Sequence, residues 1–139
     1  MENWETITGG KILYQTATSA ARTGRIAGKN VVLGNTIRFP GTVMPFIAEI
    51  SGRQVGTVGF TEEKSAQVGL DTVSHITMSA MRRRVFGGRP VQIKLIADRE
   101  THTLVGAQLI GEELVAGKID RLALAIMEKV PVERLSLVD

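Results

Sequence analysis

A connector rich in glycine and proline, residues 34–45, divides this sequence into two parts with different patterns. It contains two glycines and two prolines, which favour turns over regular elements. Before the connector, small residues recur with a helical period, and after it short segments alternate between apolar and polar residues. The sequence therefore predicts a domain boundary that separates residues 1–40 from residues 41–139.

The first part predicts one helix behind a loop or a short hairpin. Residues 1–11 are polar and contain Gly9 and Gly10 near their end, a pattern typical of a turn. From about Gln15 to Asn30, small residues recur at spacings of three and four and form one smooth helix face. These residues are Ala17, Ala20, Ala21, Gly24, Ala27 and Gly28. Tight packing against another backbone explains such a face better than a binding role does.

The second part has the pattern of an antiparallel sheet. Alternating segments bounded by turn residues indicate five strands. The predicted strands cover residues 46–50, 54–60, 72–78, 91–96 and 104–110. Because helical segments interrupt them, we expect an α+β fold, in which an antiparallel sheet of about five strands has helices packed on one face.

Capping residues predict the helix boundaries of the second part. Thr61 can accept hydrogen bonds from the free amides of a short helix, which should stop near Gly69. Glu112 and Glu113 should open a longer helix, because acidic residues favour the first turn. The predicted buried stripe of this helix is Val115, Ile119, Leu122, Ile126 and Val130. A last short helix is expected after Pro131.

Composition excludes several functional classes. The 139 residues include no cysteine, which rules out disulfides, thiolate metal sites and cysteine nucleophiles. No apolar run approaches the ~18 residues that a membrane span requires, and the N-terminus lacks the pattern of a signal peptide. We therefore expect a soluble, cytoplasmic protein without a membrane partner. The net charge is only +3 and 4% of the residues are aromatic, which disfavours a nucleic-acid partner.

No motif in the sequence assembles a catalytic centre. There is no glycine-rich nucleotide fingerprint after a strand, no P-loop and no nucleophile elbow. His75 and His102 are the only histidines, and neither has a second ligand at metal-binding spacing. We therefore predict neither catalytic residues nor a metal site.

The sharpest charged feature is the run Arg82-Arg83-Arg84, which Arg89 follows closely. Such a run could bind the phosphate groups of a nucleotide, of coenzyme A or of a nucleic acid. A solvated loop, or a set of partners for acidic groups elsewhere, is the commoner role of such a run. A self-contained module that binds phosphate-bearing ligands or nucleic acid through Arg82–Arg84 is therefore kept as the alternative function.

Several segments, in order along the chain, resemble those of one family. They are residues 54–66 (QVGTVGFTEEKSA), 93–101 (IKLIADRET), 104–111 (LVGAQLIG), 119–126 (IDRLALAI) and 132–135 (VERL). Together they resemble the C-terminal interface, or dimerisation, domain of FAD-dependent pyridine nucleotide–disulfide oxidoreductases. Within this family, the segments resemble those of the branch that contains NADH oxidases and coenzyme A–disulfide reductases. Residues 13–28 are similar to the final helix of the FAD domain in that family.

The resemblance implies a role within a longer enzyme. In that enzyme, electrons pass from NAD(P)H to FAD, the domain joins two subunits as a homodimer, and each active site is closed from across the interface. The chain is expected to be a fragment whose partner is the rest of the flavoenzyme. Alone, it should bind no cofactor and catalyse no reaction.

The resemblance also implies candidate site residues. The helix that begins near Gln15 and Thr16 should present its N-terminus to the flavin, because its free amides and about half a positive charge favour the reduced ring. Arg84 and Phe86 are the candidate substrate-binding residues. Val85 and Phe86 stand where thiol-reducing members often have tyrosines, a departure that disfavours coenzyme A disulfide as the substrate.

Overall fold

A computed structural model of the chain describes residues 2–80 and 84–137. The chain divides into two compact units, Met1–Thr42 and Val43–Asp139. Each unit has its own sheet, with two strands in the first and five in the second. The second unit holds most of the regular structure.

The first unit consists of a hairpin followed by one helix. Strands β1 (Glu2–Trp4) and β2 (Lys11–Leu13) pair in antiparallel fashion, and helix α1 (Ala17–Leu33) follows them. Thr16 caps α1, since its side-chain oxygen accepts a hydrogen bond from the backbone N–H of Ser19 at 3.2 Å. The predicted hairpin and helix are therefore both present, and the helix runs further than the sequence predicts.

The first unit buries polar rather than apolar side chains. Its buried side chains are those of Asn3, Glu5, Ser19 and Thr42. The apolar residues at the end of α1 are exposed instead, with Val31 at 85% and Val32 at 81%. Hydrogen bonds and local turns, rather than an apolar core, hold the described part of this unit together.

The second unit is built on a five-stranded antiparallel sheet with the order β3-β4-β7-β6-β5. The strands are β3 (Phe46–Ile50), β4 (Arg53–Gly59), β5 (Thr72–Ala80), β6 (Pro90–Asp98) and β7 (Leu104–Gly111). Every predicted strand is present, and the α+β class is confirmed. The β5 and β3 strands form the two edges, so β7 lies at the centre of the sheet.

Helices connect and cover these strands. In the described part of the second unit they are α2 (Glu62–Gln67), α3 (Val115–Met127) and α4 (Val132–Leu135). Thr61 caps α2 as predicted, and its side chain accepts a hydrogen bond from the amide of Lys64 at 3.1 Å. Gly69, with φ 78°, follows the end of α2, where its amide and that of Leu70 donate to carbonyls of the last turn.

The prediction that Glu112 and Glu113 open α3 is wrong. The helix begins at Val115, after Leu114, which has the left-handed conformation with φ 59°. Glu112 instead forms an ion pair with Arg89, and the Arg89 amide donates a hydrogen bond to the Glu113 carboxylate at 3.4 Å. The two acidic side chains thus bind the end of the β5–β6 connection and do not contribute to the first turn of the helix.

Helix α3 covers one face of the sheet. Val115 and Ile119 are 0% exposed and Ile126 is 4% exposed, which confirms these members of the predicted stripe. Gly56 on β4 lies directly beneath the helix. A Cβ atom at Gly56 would lie 2.6 Å from Cγ1 of Ile119 and 2.7 Å from Cγ1 of Val115. The missing side chain therefore allows the close approach of α3 to the sheet.

We predict opposite effects for alanine at two glycines of this unit. Gly56→Ala should lower the free energy of unfolding by about 1–3 kcal/mol, because the new methyl group overpacks the α3 contact. Gly117→Ala in α3 should raise it by roughly 0.5–1 kcal/mol, because alanine has the higher helix propensity. A Cβ atom at Gly117 would meet nothing within 4 Å. Urea unfolding followed by circular dichroism tests both, and a change of the same sign would contradict the packing argument.

Candidate functional site

The sheet face that α3 leaves uncovered is the first candidate site. Strand register assigns alternate residues to each face, and Gly56 belongs to the covered face. The other face, called the open face here, carries Phe46, Ala48, Ile50, Val55, Thr57, Ile76, Met78, Gln92, Lys94, Gln108 and Ile110. Its apolar side chains are strongly exposed, with Phe46 at 54%, Ile76 at 53% and Met78 at 63%. Exposed apolar side chains on a sheet face are typical of protein–protein contacts.

The centre of the open face is polar and forms a shallow recess of about 350 Å³. Lys94 pairs there with Glu62 at the start of α2, and Glu62 also accepts a hydrogen bond from Oγ of Ser74 at 2.5 Å. The donors Lys94 and Ser74 hold the pKa of Glu62 below its usual value. The side chains of Gln92 and Gln108 make no hydrogen bond with the residues that the structure describes.

The connection between β5 and β6 is the second candidate site. Arg84–Phe86 form a 3-10 turn, in which Val85 is 81% and Phe86 is 69% exposed. The predicted substrate residue Phe86 therefore lies exposed at one end of the sheet, and Arg84 begins the same turn. The remainder of the arginine run, Arg82 and Arg83, falls outside the described residues.

The start of α1 is the third candidate site. Gln15 precedes the helix, and Thr16 is its N-cap. Thr16 satisfies the amide of Ser19, whereas the amides of Ala17 and Thr18 have no acceptor within the described part of the chain. Unpaired amides at this end carry partial positive charge, so they can donate to a negatively polarised group.

A recess of about 300 Å³ lies beside these amides. Asn3 links two residues that line the recess. Its Nδ2 donates hydrogen bonds to the Tyr14 carbonyl at 3.1 Å and to Oγ of Ser19 at 3.3 Å. The size and the donor set fit the acceptor-bearing edge of a planar ring such as flavin. They do not fit a complete dinucleotide, since the sequence has no glycine-rich loop for its phosphates.

Sequence reasoning missed the role of Glu5, a buried carboxylate at 3% exposure. Its oxygens accept hydrogen bonds from the amides of Ile7 at 2.7 Å and Gly10 at 2.7 Å, and from both the amide and the hydroxyl of Thr8. Burial opposes ionisation of Glu5, but these donors outweigh it and lower the pKa of Glu5. Glu5 therefore closes the β1–β2 turn and positions the strand that carries Asn3.

We predict that this turn depends on pH. Because the folded-state pKa of Glu5 is lowered, its stabilisation is complete above the unfolded value of about 4.5 and is lost as the pH falls through the folded value. Glu5→Gln should cost about 2 kcal/mol at pH 7, because the charged acceptor is removed. The amide resonances of Ile7, Thr8 and Gly10 report both effects by NMR. Unshifted resonances in Glu5→Gln would contradict this role.

The two histidines lie apart, His75 on β5 and His102 in a turn. His102, with φ 58°, lies in the β6–β7 turn, and its Nδ1 is 2.7 Å from a carboxylate oxygen of Glu133 in α4. No group of three potential metal ligands occurs among the described residues.

Within the same residues, no helix is long and apolar enough to cross a membrane.

The sequence matches a known domain family. The profile of the pyridine nucleotide-disulphide oxidoreductase dimerisation domain covers residues 48–138, more than half of the chain. The chain is 33% identical over 131 residues to an NADH oxidase of Methanocaldococcus jannaschii. The aligned segment covers 94% of this chain and 29% of that protein. It is 28% identical over 127 residues to an NAD(P)H coenzyme A polysulfide/persulfide reductase of Pyrococcus horikoshii. This alignment covers 91% of this chain and 28% of the reductase.

Solved structures agree with this match. A NAD-dependent persulfide reductase from A. fulgidus superposes with a TM-score of 0.94 at 28% identity, covering 99% of this chain and 26% of that chain. A water-forming NADH oxidase from Lactobacillus brevis, bound to NADH, gives a TM-score of 0.93 at 25% identity, with 99% and 31% covered. The chain thus spans less than a third of the length of each of these proteins.

Proposed function

Because the chain belongs to the pyridine nucleotide–disulphide oxidoreductase family through its dimerisation domain, we propose that it joins two subunits of a FAD-dependent NAD(P)H oxidoreductase. The observation that supports this most directly is the five-stranded sheet with an exposed apolar face, in a domain that the family uses for dimerisation. The relatives are NADH oxidases and coenzyme A-linked reductases, so the proposed enzyme oxidises a reduced nicotinamide. The family match gives no support to the alternative phosphate- or nucleic-acid-binding module.

The proposal assigns different roles to the two parts of the sequence. Residues 1–40 form the C-terminal end of the FAD domain, and residues 41–139 form the interface domain. FAD, when bound in the complete enzyme, transfers electrons from NAD(P)H to the acceptor. Gln15 and Thr16 precede the first turn of α1, which would face the edge of the flavin ring, and the amides of Ala17 and Thr18 would donate hydrogen bonds to it. Cytoplasmic location stays a prediction.

Arg84 and Phe86 are proposed to contact substrate across the dimer interface. Phe86 is supported by its exposure of 69% at the end of the sheet, where it is free to enter a neighbouring cleft. Arg89 restrains the connection that carries both residues, since it pairs with Glu112 beyond β7. Arg84 and Phe86 belong to the same 3-10 turn, and Arg89 links the residues after this turn to Glu112.

Homodimerisation is testable with the 139-residue chain itself. We expect light scattering to give twice the mass of 15.0 kDa at high micromolar concentration, because the domain match concerns dimerisation. Dilution should produce a reversible transition to monomer. A mass of one chain throughout this concentration range would contradict the proposed function.

The helix end can be tested in the flavoprotein that contains this chain. Thr16→Asp keeps a capping side chain but adds a negative charge beside the reduced ring, so the flavin midpoint potential should fall. A destabilisation of about 1 kcal/mol corresponds to roughly 20 mV for two electrons. The control Thr23→Asp places the same charge about 10 Å further along α1 and should leave the potential near the original value. Equal potentials in both variants, with flavin fully bound, would place the ring elsewhere.

A further inference from the structure

We infer that the hydroxyl of Ser19, oriented by Asn3, donates a hydrogen bond to the acceptor-bearing edge of the flavin and favours the reduced ring. This inference deepens the proposed function and rests on it, because it assigns a further residue to the recess beside α1. Ser19 contacts the cofactor in this assignment, and Asn3 is a positioning residue that acts through Ser19. The observation that carries it is a buried hydroxyl whose proton is unused.

Ser19 lines the recess although its side chain is almost completely buried. It is 6% exposed, and it encloses the recess together with neighbours such as Gln15 and Ala20. Ser19 occupies the third position of α1, where its amide already donates to Oγ1 of the capping Thr16. The group of Ser19 that remains for a ligand is therefore its hydroxyl.

The hydroxyl of Ser19 is used only as an acceptor. Its Oγ receives a hydrogen bond from Nδ2 of Asn3 at 3.3 Å, and its own proton has no acceptor within the part of the chain that the structure describes. A serine hydroxyl has one proton to donate in addition to its lone pairs. Because a buried donor without an acceptor lowers stability, this free proton indicates an acceptor that enters the recess.

The next hydroxyl on α1 uses its proton inside the helix. Oγ1 of Thr23 donates to the carbonyls of Ser19 at 2.9 Å and Ala20 at 3.2 Å. Serine and threonine side chains in helices commonly bond in this way to a carbonyl three or four residues earlier. Ser19 makes no such bond among the described residues, so its proton stays available to a ligand.

Asn3 restricts the direction in which the Ser19 proton points. The Asn3 side chain is held on both sides, since its residue is 5% exposed and its Nδ2 also donates to the carbonyl of Tyr14 at 3.1 Å. Its backbone is fixed as well, because Asn3 pairs with Ile12 across the β1–β2 hairpin. The Nδ2 donor occupies one side of Oγ, so the Ser19 proton is directed away from Asn3.

Three donors thus lie at the recess, namely the Ser19 hydroxyl and the amides of Ala17 and Thr18. The residues that line the recess include no charged side chain, so no carboxylate competes for these donors. Reduced flavin carries negative charge near the carbonyl and ring-nitrogen acceptors of its edge, whereas the oxidised ring is neutral. Because a hydrogen bond to a charged acceptor is the stronger one, the Ser19 hydroxyl favours the reduced form.

Ser19→Ala tests the hydroxyl in the flavoprotein that contains this chain, because it keeps the helix backbone with its amides. The dissociation constant of reduced flavin should rise roughly tenfold relative to that of oxidised flavin, since one hydrogen bond to a charged acceptor is lost. For a two-electron couple, this tenfold change lowers the midpoint potential by about 30 mV. The matched control Thr23→Ala removes a hydroxyl whose proton is bound inside α1 and should leave the potential near the wild-type value. Spectroelectrochemical titration with saturating FAD measures both.

Asn3→Leu tests the positioning role, because it removes the Nδ2 donor at similar volume. It should lower the potential when Ser19 is present and leave the potential unchanged when Ser19 is already alanine. A residue that only supports the hairpin would have the same effect in both backgrounds. An Asn3→Leu protein that binds no flavin would assign Asn3 to folding and overturn its positioning role.

The outcomes separate this inference from the proposed function. A complete protein that contains this chain and binds no FAD overturns both. A flavoprotein in which Thr16→Asp lowers the potential but Ser19→Ala leaves it unchanged, with FAD fully bound, overturns only the assignment of Ser19 and leaves its proton to water. Equal shifts in Ser19→Ala and Thr23→Ala would overturn the assignment as well, because the effect would then not depend on the free proton.

Discussion

The contact between α3 and Gly56 determines which side of the sheet is free to bind anything else. Without a side chain at Gly56, Val115 and Ile119 reach the sheet backbone and are fully buried. One face therefore becomes the core of the unit. The opposite face keeps apolar side chains such as Phe46 and Ile76 exposed, although Ile96 on the same face is buried. A single helix covers one side of a sheet, and a second apolar side needs a second partner.

Sequence patterns predicted the strands and caps because those features depend on neighbouring residues. Period-two alternation marks the strands, and Thr16 and Thr61 cap helices through amides three residues ahead. One failure involves a distant partner. Glu112 pairs with Arg89, which lies 23 positions earlier in the chain, and does not join the first turn of α3. The buried carboxylate of Glu5 depends on a turn whose conformation no periodicity reveals. For the candidate site, the sequence indicated residues and left open which face of the sheet is free.

The first unit differs from the second in what stabilises it. Its buried side chains are polar, and it carries the whole net charge of the sequence. On α1, Arg22, Arg25 and Lys29 have no ion-pair partner among the described residues, and the helix contains no acidic residue. A helix with exposed valines is costly for an independent domain, since little apolar burial offsets the entropy of ordering it. These properties fit a segment that is completed by neighbouring polypeptide, as the proposed FAD domain requires.

The Arg89–Glu112 pair couples the two candidate surfaces of the second unit. It joins the connection that carries Phe86 to the segment that leads into α3. Both sites therefore lie at the same end of the sheet. A partner that covers the open face meets Met78 and Ile110, which lie on the same cross-strand row near this end. Assembly and the placement of the Phe86 turn are thus linked by geometry. Because an exposed ion pair contributes at most about 1 kcal/mol, Arg89 and Glu112 bias the position of this connection only weakly.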